Sequence, residues 1–482
     1  MRDLELPPYA PALMESTRAI GYSIETAIAD IIDNSVTAMA NRIEINFFPV
    51  DCPYISILDN GIGMTDSELI EAMRYGSRNP LDARGENDLG RFGLGLKTAS
   101  MSQCRKLTVI SKKGNVVSGA QWDLDYIAST NKWSLLLLAE EDFKAFPHVE
   151  QLKELESGTI VIWQELDKLK EGNTNFAAIM GRYMDAVRRH LSLVFHRYIK
   201  GESGIQKVEI EINKLQVEAI DPFLAEKSTQ IMDDEIINID GQRVIVRPYL
   251  LPHISQLDES EIRILGGEDG IRKQQGFYVY RNKRLLIWGT WFRMMRKGDL
   301  SKLARVRIDI PNSLDSLWTL DIKKSMAIPP QIVQKNVSGI IKKLGDVSKR
   351  TWTYRGRKEI DDNIIHIWNR LKTREGGIAY VINRDHPIIE EIDSNYLRRI
   401  EHLLKNIESG LPLNQLYVDL TSDQKIVNDS EVSEMDLLNM LKGLLSGCNN
   451  ANERQEMIYR LSITEPFNQH PDLLEKMLQE VK

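Results

Sequence analysis

Residues 23–40, SIETAIADIIDNSVTAMA, place two carboxylates and an amide within an otherwise apolar helical pattern. At 100° per residue the apolar side chains share one broad face. Asp30, Asp33, Asn34 and Thr37 share the opposite face, because they follow the spacing i, i+3, i+4 and i+7. Such a pattern is typical of an amphipathic helix with one solvated side. It also suits a site in which acids and an amide converge on a ligand.

A second motif, SILDNGIGMT at residues 56–65, puts Asp59 at the end of an apolar strand. Gly61 and Gly63 allow the backbone to turn sharply and to approach a flat ligand closely. The carboxylate could accept a hydrogen bond from an exocyclic amine such as that of adenine, and Met64 could pack on the ring. A turn without any ligand is the alternative interpretation of Asp-Asn-Gly.

A third motif, GRFGLGLKTAS, leads three glycines into the start of a helix. Free N–H groups and the helix dipole favour phosphate there, and Lys97 would add a positive charge. The Walker pattern requires lysine directly after its last glycine, and the dinucleotide fingerprint has another glycine spacing, so neither describes this segment. A flexible entry to the helix remains the alternative.

The elements that must position these motifs alternate between helix and strand patterns over the first 200 residues. A fourth segment, SGTIVIW, opens a strand with Gly158 and Thr159. The segment TDSELIEAMRYG begins with Thr65 and Glu68 at capping-box spacing. The aperiodic, glycine-bearing GSRNPLDARGENDLG is predicted as a long loop. Predicted strands are NRIEINFF, YISILD, KLTVIS, VVSGAQWDL, WSLLLL and GTIVIWQEL, and a predicted helix, NFAAIMGRYMDAVRRHLSLVF, closes the unit.

Two further units follow. Residues 205–345 carry the strand patterns KVEIEIN, RVIVRPYLL, QGFYVYRNKRLLI and RVRIDIP and then the helix pattern QIVQKNVSGIIKKLGDV. Beyond residue 346 the predicted elements are the helices EIDDNIIHIWNRLK, NYLRRIEHLLKNIESG, EMDLLNMLKGLLSG and ANERQEMIYRLS. We therefore predict three domains, at residues 1–200, 205–345 and 346–482, of which the last is mostly helical.

Composition restricts the class of protein. The chain has 482 residues, 42% hydrophobic and 27% charged, which is typical of a soluble globular protein. A net charge of -7 gives no general attraction to nucleic acid, so any such contact requires a local basic patch. No apolar run approaches the length of a membrane span, and the N-terminus is unlike a signal peptide. The three scattered cysteines indicate a reducing compartment, so we expect a cytoplasmic protein without a membrane partner.

In this order the four motifs resemble those of the GHKL ATPases, the superfamily of gyrase, the large heat-shock chaperones, histidine kinases and MutL. The resemblance covers roughly residues 15–165, and GRFGLGLKTASMS is most similar to the MORC branch. It implies an α/β fold, the two-layer α+β sandwich called the Bergerat fold, with ATP and Mg²⁺ as ligands. GFYVYRNKRLLIWG and WTLDIKKSMA resemble the S5-like α/β transducer domain that follows such modules in MutL, MORC and topoisomerases.

The resemblance also implies roles for individual residues. Asp30 would be the general base, Asn34 the Mg²⁺ ligand and Asp59 the acceptor of the adenine amino group, supported by Thr159. The segment between residues 76 and 95 would be a lid that closes over ATP. The residues assigned to nucleotide binding are Asn34, Asp59, Gly61, Gly63, Met64, Gly90, Arg91, Phe92, Gly93, Leu94, Gly95, Leu96, Lys97 and Thr159.

Two residues depart from the family pattern. Asp30 stands where glutamate is usual and reaches about one methylene less, which predicts slow turnover because proton transfer depends on reach. Thr37 stands where an acid is usual, and Asp33 would help to orient the site or be a solvated helix residue. In the second domain Lys324, or its neighbour Lys323, would reach the γ-phosphate and make the domain angle depend on the nucleotide.

The resemblance favours an ATP-gated clamp that dimerises with ATP and acts on DNA or a DNA-processing partner. Residues 342–358 interleave basic and aromatic side chains and could contact DNA, although a solvated linker is the alternative. The C-terminal helices could bind a protein partner. A chaperone-like ATPase and a nucleotide-binding scaffold with little turnover remain alternatives. A histidine kinase is disfavoured, because the short segment before the site contains no histidine.

Overall fold

Residues 42–216 contribute an eight-stranded sheet to the computed structural model. The structure describes residues 3, 4, 6, 8–19, 21–76, 89, 95–170, 175–228, 233–252, 256–267, 270–298, 301–314, 318, 329–341, 365–372, 378–390, 394–412, 416, 434–446, 448 and 450–474. These residues form two compact units, Met1–Thr353 and Tyr354–Lys482. Each unit is described by itself below.

The first sheet has the strand order β5-β4-β3-β6-β2-β1-β7-β8. Its strands are β1 Arg42–Phe48, β2 Tyr54–Asp59, β3 Lys106–Lys113, β4 Val116–Asp123, β5 Leu136–Leu138, β6 Ser157–Gln164, β7 Glu209–Ile212 and β8 Leu215–Gln216. All neighbours are antiparallel except β1 and β7. The six strands predicted from the first 200 residues are all present, and β2 lies near the middle of the sheet.

Helices pack on both faces of this sheet. They are α1 Ala10–Arg18, α2 Ile24–Thr37, α3 Asp66–Met73, α4 Gly95–Met101, α5 Leu124–Thr130, α6 Val149–Glu154, α7 Asp167–Lys170, α8 Phe176–Val194 and α9 His196–Lys200, with a 3-10 helix at Asp142–Ala145. The apolar face of α2 packs against the sheet, since Ile28 and Ile32 join one core with strand residues such as Ile57. The opposite face of the sheet packs on α6 and the 3-10 helix, through a smaller cluster that includes Ile160 and Leu152.

The start of α3 confirms the capping box that its sequence predicts. Thr65 Oγ1 accepts from the Glu68 backbone N–H at 3.4 Å, and Glu68 Oε2 accepts from the Thr65 N–H at 2.8 Å. These bonds satisfy N–H groups that have no partner within the helix. The helix therefore begins directly after the turn that follows β2.

The second sheet has the order β12-β11-β13-β10-β9. Its strands are β9 Glu235–Ile239, β10 Gln242–Leu250, β11 Gly276–Arg281, β12 Arg284–Thr290 and β13 Ala304–Ile310. Helix α10 spans Glu259–Gly266, α11 spans residues 331–341, and a 3-10 helix spans Asn312–Leu314. Val333 and Val337 of α11 are buried in one cluster with Val306 and Val279 of the sheet. The mixed α/β pattern predicted for this region is confirmed.

One strand that the sequence places in the second domain pairs with the first sheet. The strand KVEIEIN was assigned to a second domain starting at residue 205, yet β7 pairs in parallel with β1 through Ile43 and Ile210. The open edge of β1 supplies backbone groups that β7 satisfies, which a periodicity within one strand cannot reveal. The first sheet therefore extends to residue 216.

The unit Tyr354–Lys482 contains a hairpin and several helices. Strands β14 Trp368–Lys372 and β15 Ile378–Ile382 are antiparallel, and helices span Pro387–Glu390, Ser394–Ser409, Glu434–Ser446 and Ala451–Ser462, with a 3-10 helix at Phe467–Gln469. Three of the four helices predicted here are confirmed. The fourth, EIDDNIIHIWNRLK, is wrong over residues 368–372, where pairing with β15 overrides the helical spacing of its apolar residues.

Across the ranges that the structure describes, every helix is too short or too polar to cross a bilayer.

Candidate functional site

The polar face of α2 is only partly solvated. Asp30 and Asp33 are 6% and 1% exposed, whereas Asn34 and Thr37 are exposed. Burying a carboxylate requires compensating partners, so these acids are unlike the solvated side of an ordinary amphipathic helix. The face predicted from helical spacing therefore has two buried carboxylates, Asp30 and Asp33, and two exposed residues, Asn34 and Thr37.

Asp30 is held between the start of α2 and the start of α4. The hydroxyl of Tyr22 donates to Asp30 Oδ2 at 3.2 Å. Gly95 is the first residue of α4, and a Cβ built on it would lie 3.8 Å from the same oxygen. Tyr22 was not predicted as a site residue, because a tyrosine two residues before a helix carries no sequence signal of such a bond. The carboxylate thus has a fixed orientation beside the end of the glycine-rich segment.

Asn34 has the environment that a magnesium ligand needs. Its side chain is exposed one helical turn after Asp30, and an amide oxygen is a ligand type that Mg²⁺ accepts. Magnesium usually takes few protein ligands and completes its shell with water and phosphate oxygens. Within the described part of the chain, no group of three or more His, Cys, Asp or Glu side chains could hold a metal ion. A single exposed amide suits a cation whose other ligands would be water and phosphate oxygens.

Asp59 lies at the end of β2 with its carboxylate already oriented. Oδ2 accepts from Ser35 Oγ at 2.7 Å and Oδ1 accepts from the Gly61 N–H at 2.9 Å. Burial raises the pKa of Asp59, and hydrogen bonds from Gly61, Ser35 and the Thr159 backbone act in the opposite direction. Each carboxylate oxygen has two lone pairs, so acceptor capacity remains for an amine.

A second serine connects the strands beneath Asp59. Ser111 Oγ lies 2.8 Å from Thr159 Oγ1, donates to the Gly158 carbonyl at 3.0 Å and accepts from the Met64 N–H at 2.8 Å. This network brings Thr159 and Met64 together with the end of β2, as the predicted adenine pocket requires. Sequence reasoning missed Ser35 and Ser111. Ser35 falls among apolar positions of α2, and Ser111 is a plain strand residue.

Gly63 and Gly158 are required by the packing of the protein itself. Gly63 has φ +65°, and a Cβ there would lie 1.9 Å from the Lys112 carbonyl oxygen. A Cβ on Gly158 would lie 2.3 Å from the Asp59 carbonyl oxygen. The sharp turn predicted at Gly63 is present. The lack of a side chain at Gly63 and Gly158 allows backbone segments around Asp59 to pack closely together.

Helix α2 contacts the residues at both ends of the glycine-rich segment. Leu89, directly before Gly90, is 2% exposed and its N–H donates to Thr37 Oγ1 at 3.3 Å. Gly95 adjoins Asp30 at the other end. Thr37, which replaces the usual acid, therefore holds the start of this segment.

Lys97 has an unexpected environment. It is 2% exposed, and its ammonium donates to the Ala72 carbonyl at 2.9 Å, near the end of α3. This bond gives Lys97 a structural role between α3 and α4. Its assignment as a phosphate ligand, like that of Leu96 beside it, stays a prediction.

Several predicted residues lie outside the described residues. They are Gly90, Arg91, Phe92, Gly93, Leu94, Lys323, Lys324, nearly all of the predicted lid and the segment 342–358.

Comparisons with known proteins agree with the family resemblance of the four motifs. Residues 22–159 match the family model described as "Histidine kinase-, DNA gyrase B-, and HSP90-like ATPase". The chain is similar to ATPase morc-1 of Caenorhabditis elegans, with 29% identity over 94 residues, and to ATPase MORC2B of Mus musculus, with 31% identity over 96 residues. Each match covers 19% of this chain and only 11% and 9%, respectively, of the relative.

Proposed function

We propose that the protein binds ATP with Mg²⁺ and hydrolyses it, because residues 22–159 match a GHKL ATPase family model and carry the four motifs in the order that the resemblance requires. The observation that carries the proposal is the polar group of Asp30, Asn34 and Asp59 on α2 and at the end of β2. Two buried carboxylates and an exposed amide lie on α2 and at the end of β2, and α2 also adjoins both ends of the glycine-rich segment through Thr37 and Asp30.

Each residue performs a separate task in this proposal. Asp59 accepts a hydrogen bond from the adenine amino group, while Ser35 and Gly61 keep its carboxylate oriented. Asn34 would hold Mg²⁺ through its amide oxygen, and the cation would neutralise phosphate charge. Asp30 accepts a proton from water as the water oxygen bonds to the γ-phosphorus and the bond to ADP breaks. Asp30 is one methylene shorter than the usual glutamate, and the hydrogen bond from Tyr22 limits the movement of its carboxylate. We therefore expect slow turnover.

A variant of Asn34 tests the site assignment. Asn34→Ala should lose the Mg²⁺-dependent part of ATP binding, measured by titrating a fluorescent ATP analogue with and without Mg²⁺. Asn336→Ala is the matched control, since Asn336 is an exposed asparagine on α11. Retained Mg²⁺-dependent binding in Asn34→Ala would show that the site is wrongly assigned.

We further propose that ATP closes two copies into a dimeric clamp on DNA, in a reducing cytoplasm consistent with three free cysteines. The described residues that best support contact with DNA are five exposed cations on two adjoining loops of the second domain. The side chain of Lys297 donates to the Lys273 carbonyl and so joins these loops. The five are Arg272, Lys273, Arg293, Arg296 and Lys297.

Light scattering with a non-hydrolysable ATP analogue, with and without duplex DNA, tests the clamp. The mass should double with the analogue, and a monomer under all conditions would reject dimerisation. Neutralising Arg293, Arg296 and Lys297 together should weaken DNA binding and reduce its salt dependence, because each phosphate contact releases counterions. An unchanged salt dependence would remove this surface from the proposal.

A further inference from the structure

The turn between β11 and β12 reaches from the second domain into the nucleotide site. Its sequence is Arg281-Asn282-Lys283-Arg284, and the two central residues have φ 46° and 66°. A two-residue turn of this kind matches the twist of paired strands and places its flanking residues opposite each other. Arg281 and Arg284 are such a pair, and they are 2% and 6% exposed. Two buried arginines therefore occupy paired positions at the tip of the hairpin.

Arg284 pairs with the helix that carries the proposed base and the proposed magnesium ligand. Its Nε lies 3.1 Å from Asp33 Oδ1, and the two side chains are 7% and 2% exposed. Asp33 directly precedes Asn34 and lies one helical turn from Asp30. A buried ion pair of this kind fixes its helix, because losing either partner leaves an uncompensated charge in a low-dielectric surrounding.

His190 on α8 interacts with both members of this pair. Its pKa is lowered to about 3, since burial and Arg284 both disfavour the imidazolium and Asp33 opposes them only in part. His190 is therefore neutral at physiological pH. The positive partner of Asp33 in this cluster is Arg284.

Arg281 reaches the other end of the site. Its Nη1 donates to the Leu89 carbonyl at 2.9 Å, and the Leu89 N–H donates to Thr37 on α2. Leu89 directly precedes the glycine-rich segment GRFGLG. Leu89 is thus bound at its carbonyl by Arg281 of the second domain and at its N–H by Thr37 of α2.

We propose that Arg281 and Arg284 are positioning residues of the nucleotide site, so that the β11–β12 turn is a structural part of it. Arg284 holds α2 through Asp33, and Arg281 fixes the start of the phosphate-binding segment through Leu89. The proposal rests on the proposed ATPase function. It differs from the γ-phosphate contact expected of Lys324, because it requires no direct contact with the nucleotide.

The same turn offers a control that separates positioning from general stability. The hydroxyl of Tyr198 on α9 donates to the Asn282 carbonyl at 2.6 Å. Tyr198→Phe removes this bond and leaves Asp33 and Leu89 with their arginine partners. If Arg281 and Arg284 only joined the two domains, then in Arg281→Gln, Arg284→Gln and Tyr198→Phe the loss of nucleotide binding would be proportional to the loss of stability.

The experiment uses the full chain with Arg281→Gln, Arg284→Gln and Tyr198→Phe. Affinity for a fluorescent ATP analogue, steady-state kcat and KM, and the midpoint of thermal unfolding are measured for each. We expect Arg284→Gln to lower kcat by about tenfold to a hundredfold, since small misplacements of catalytic groups have effects of this size. Arg281→Gln should mainly raise KM, because it frees the start of the phosphate-binding segment. Tyr198→Phe should lower the midpoint and leave kcat and KM within about twofold.

The double variant Asp33→Asn with Arg284→Gln replaces the ion pair by a neutral pair of similar shape. It should recover part of the kcat lost by Arg284→Gln, even if the single variant folds poorly. Parent-like kcat and KM in Arg281→Gln and Arg284→Gln would overturn the proposal. A parent protein that does not bind ATP would instead overturn the proposed function, so the two failures are distinguishable.

Discussion

Replacing Ser35 by alanine tests the adenine pocket through a residue buried beneath it. Ser35 donates to Asp59 Oδ2 at 2.7 Å, and the two residues are 2% and 7% exposed. A hydrogen bond to a charged group contributes about 1.5–3 kcal/mol to stability or binding. Water has little access to replace the lost donor. We therefore expect Ser35→Ala to weaken ATP binding by about tenfold to a hundredfold.

The pH dependence of the same variant has a definite sign. Burial raises the pKa of Asp59 above its unfolded-state value, and the bond from Ser35 reduces that rise. For such a group the contribution to folding stability is fully present below the unfolded-state pKa and is lost as pH rises through the folded-state pKa. Removing Ser35 raises the pKa of Asp59 further. Ser35→Ala should therefore lose more stability at neutral than at acid pH. As the pH is lowered, Asp59 becomes protonated at a higher pH in the variant, so ATP binding should weaken at a higher pH than in the parent.

Titration of a fluorescent ATP analogue from acid to neutral pH, together with urea unfolding at both ends of that range, measures these effects. Ser192→Ala is the control, because Ser192 is a buried serine on α8 that is 5% exposed. Equal affinity and superimposable pH profiles for Ser35→Ala and the parent would refute Asp59 as the adenine acceptor.

Three further predictions follow from single side chains. Asp30→Asn should bind ATP but lose about 10²–10⁴ in kcat, measured by phosphate release, and parent-like turnover would exclude Asp30 as the base. Gly63→Ala should lower the free energy of unfolding in urea far more than Gly114→Ala, because both glycines have positive φ but only Gly63 meets a backbone atom. Bonds from Lys113 and Thr65 lower the pKa of Glu68 to about 2. Glu68→Gln should therefore reduce thermal stability near neutral pH, and its difference from the parent should vanish as pH falls through that value.

Much of the fold follows from local sequence patterns. Apart from β8 and β9, which the sequence did not predict, the strands of both sheets and the helices α2, α3 and α8 lie where periodicity and capping residues predict them. Residues 368–372 are an exception, because a short apolar segment fits either a helix or a strand until its pairing partner is known. The strand KVEIEIN pairs with β1 of the first sheet for a similar reason, since the partner of a strand is not encoded in its own periodicity.

By itself, the sequence determined which residue types could serve a nucleotide and in what order they occur. Helical spacing alone put Asp30, Asp33 and Asn34 on one face of α2, and strand length put Asp59 at the end of β2. These are short-range properties, and they depend on backbone geometry that every helix and strand shares.

Only the tertiary structure decided which neighbours hold those groups. Arg284 meets Asp33 across 251 residues of chain, and Ser35 turns from an apparently apolar position toward Asp59. Such contacts depend on how separate elements pack, and no local pattern encodes them. Their physical reason is the cost of burying charge, since a carboxylate enclosed by helices and sheet requires a donor or a cation from whatever element lies against it.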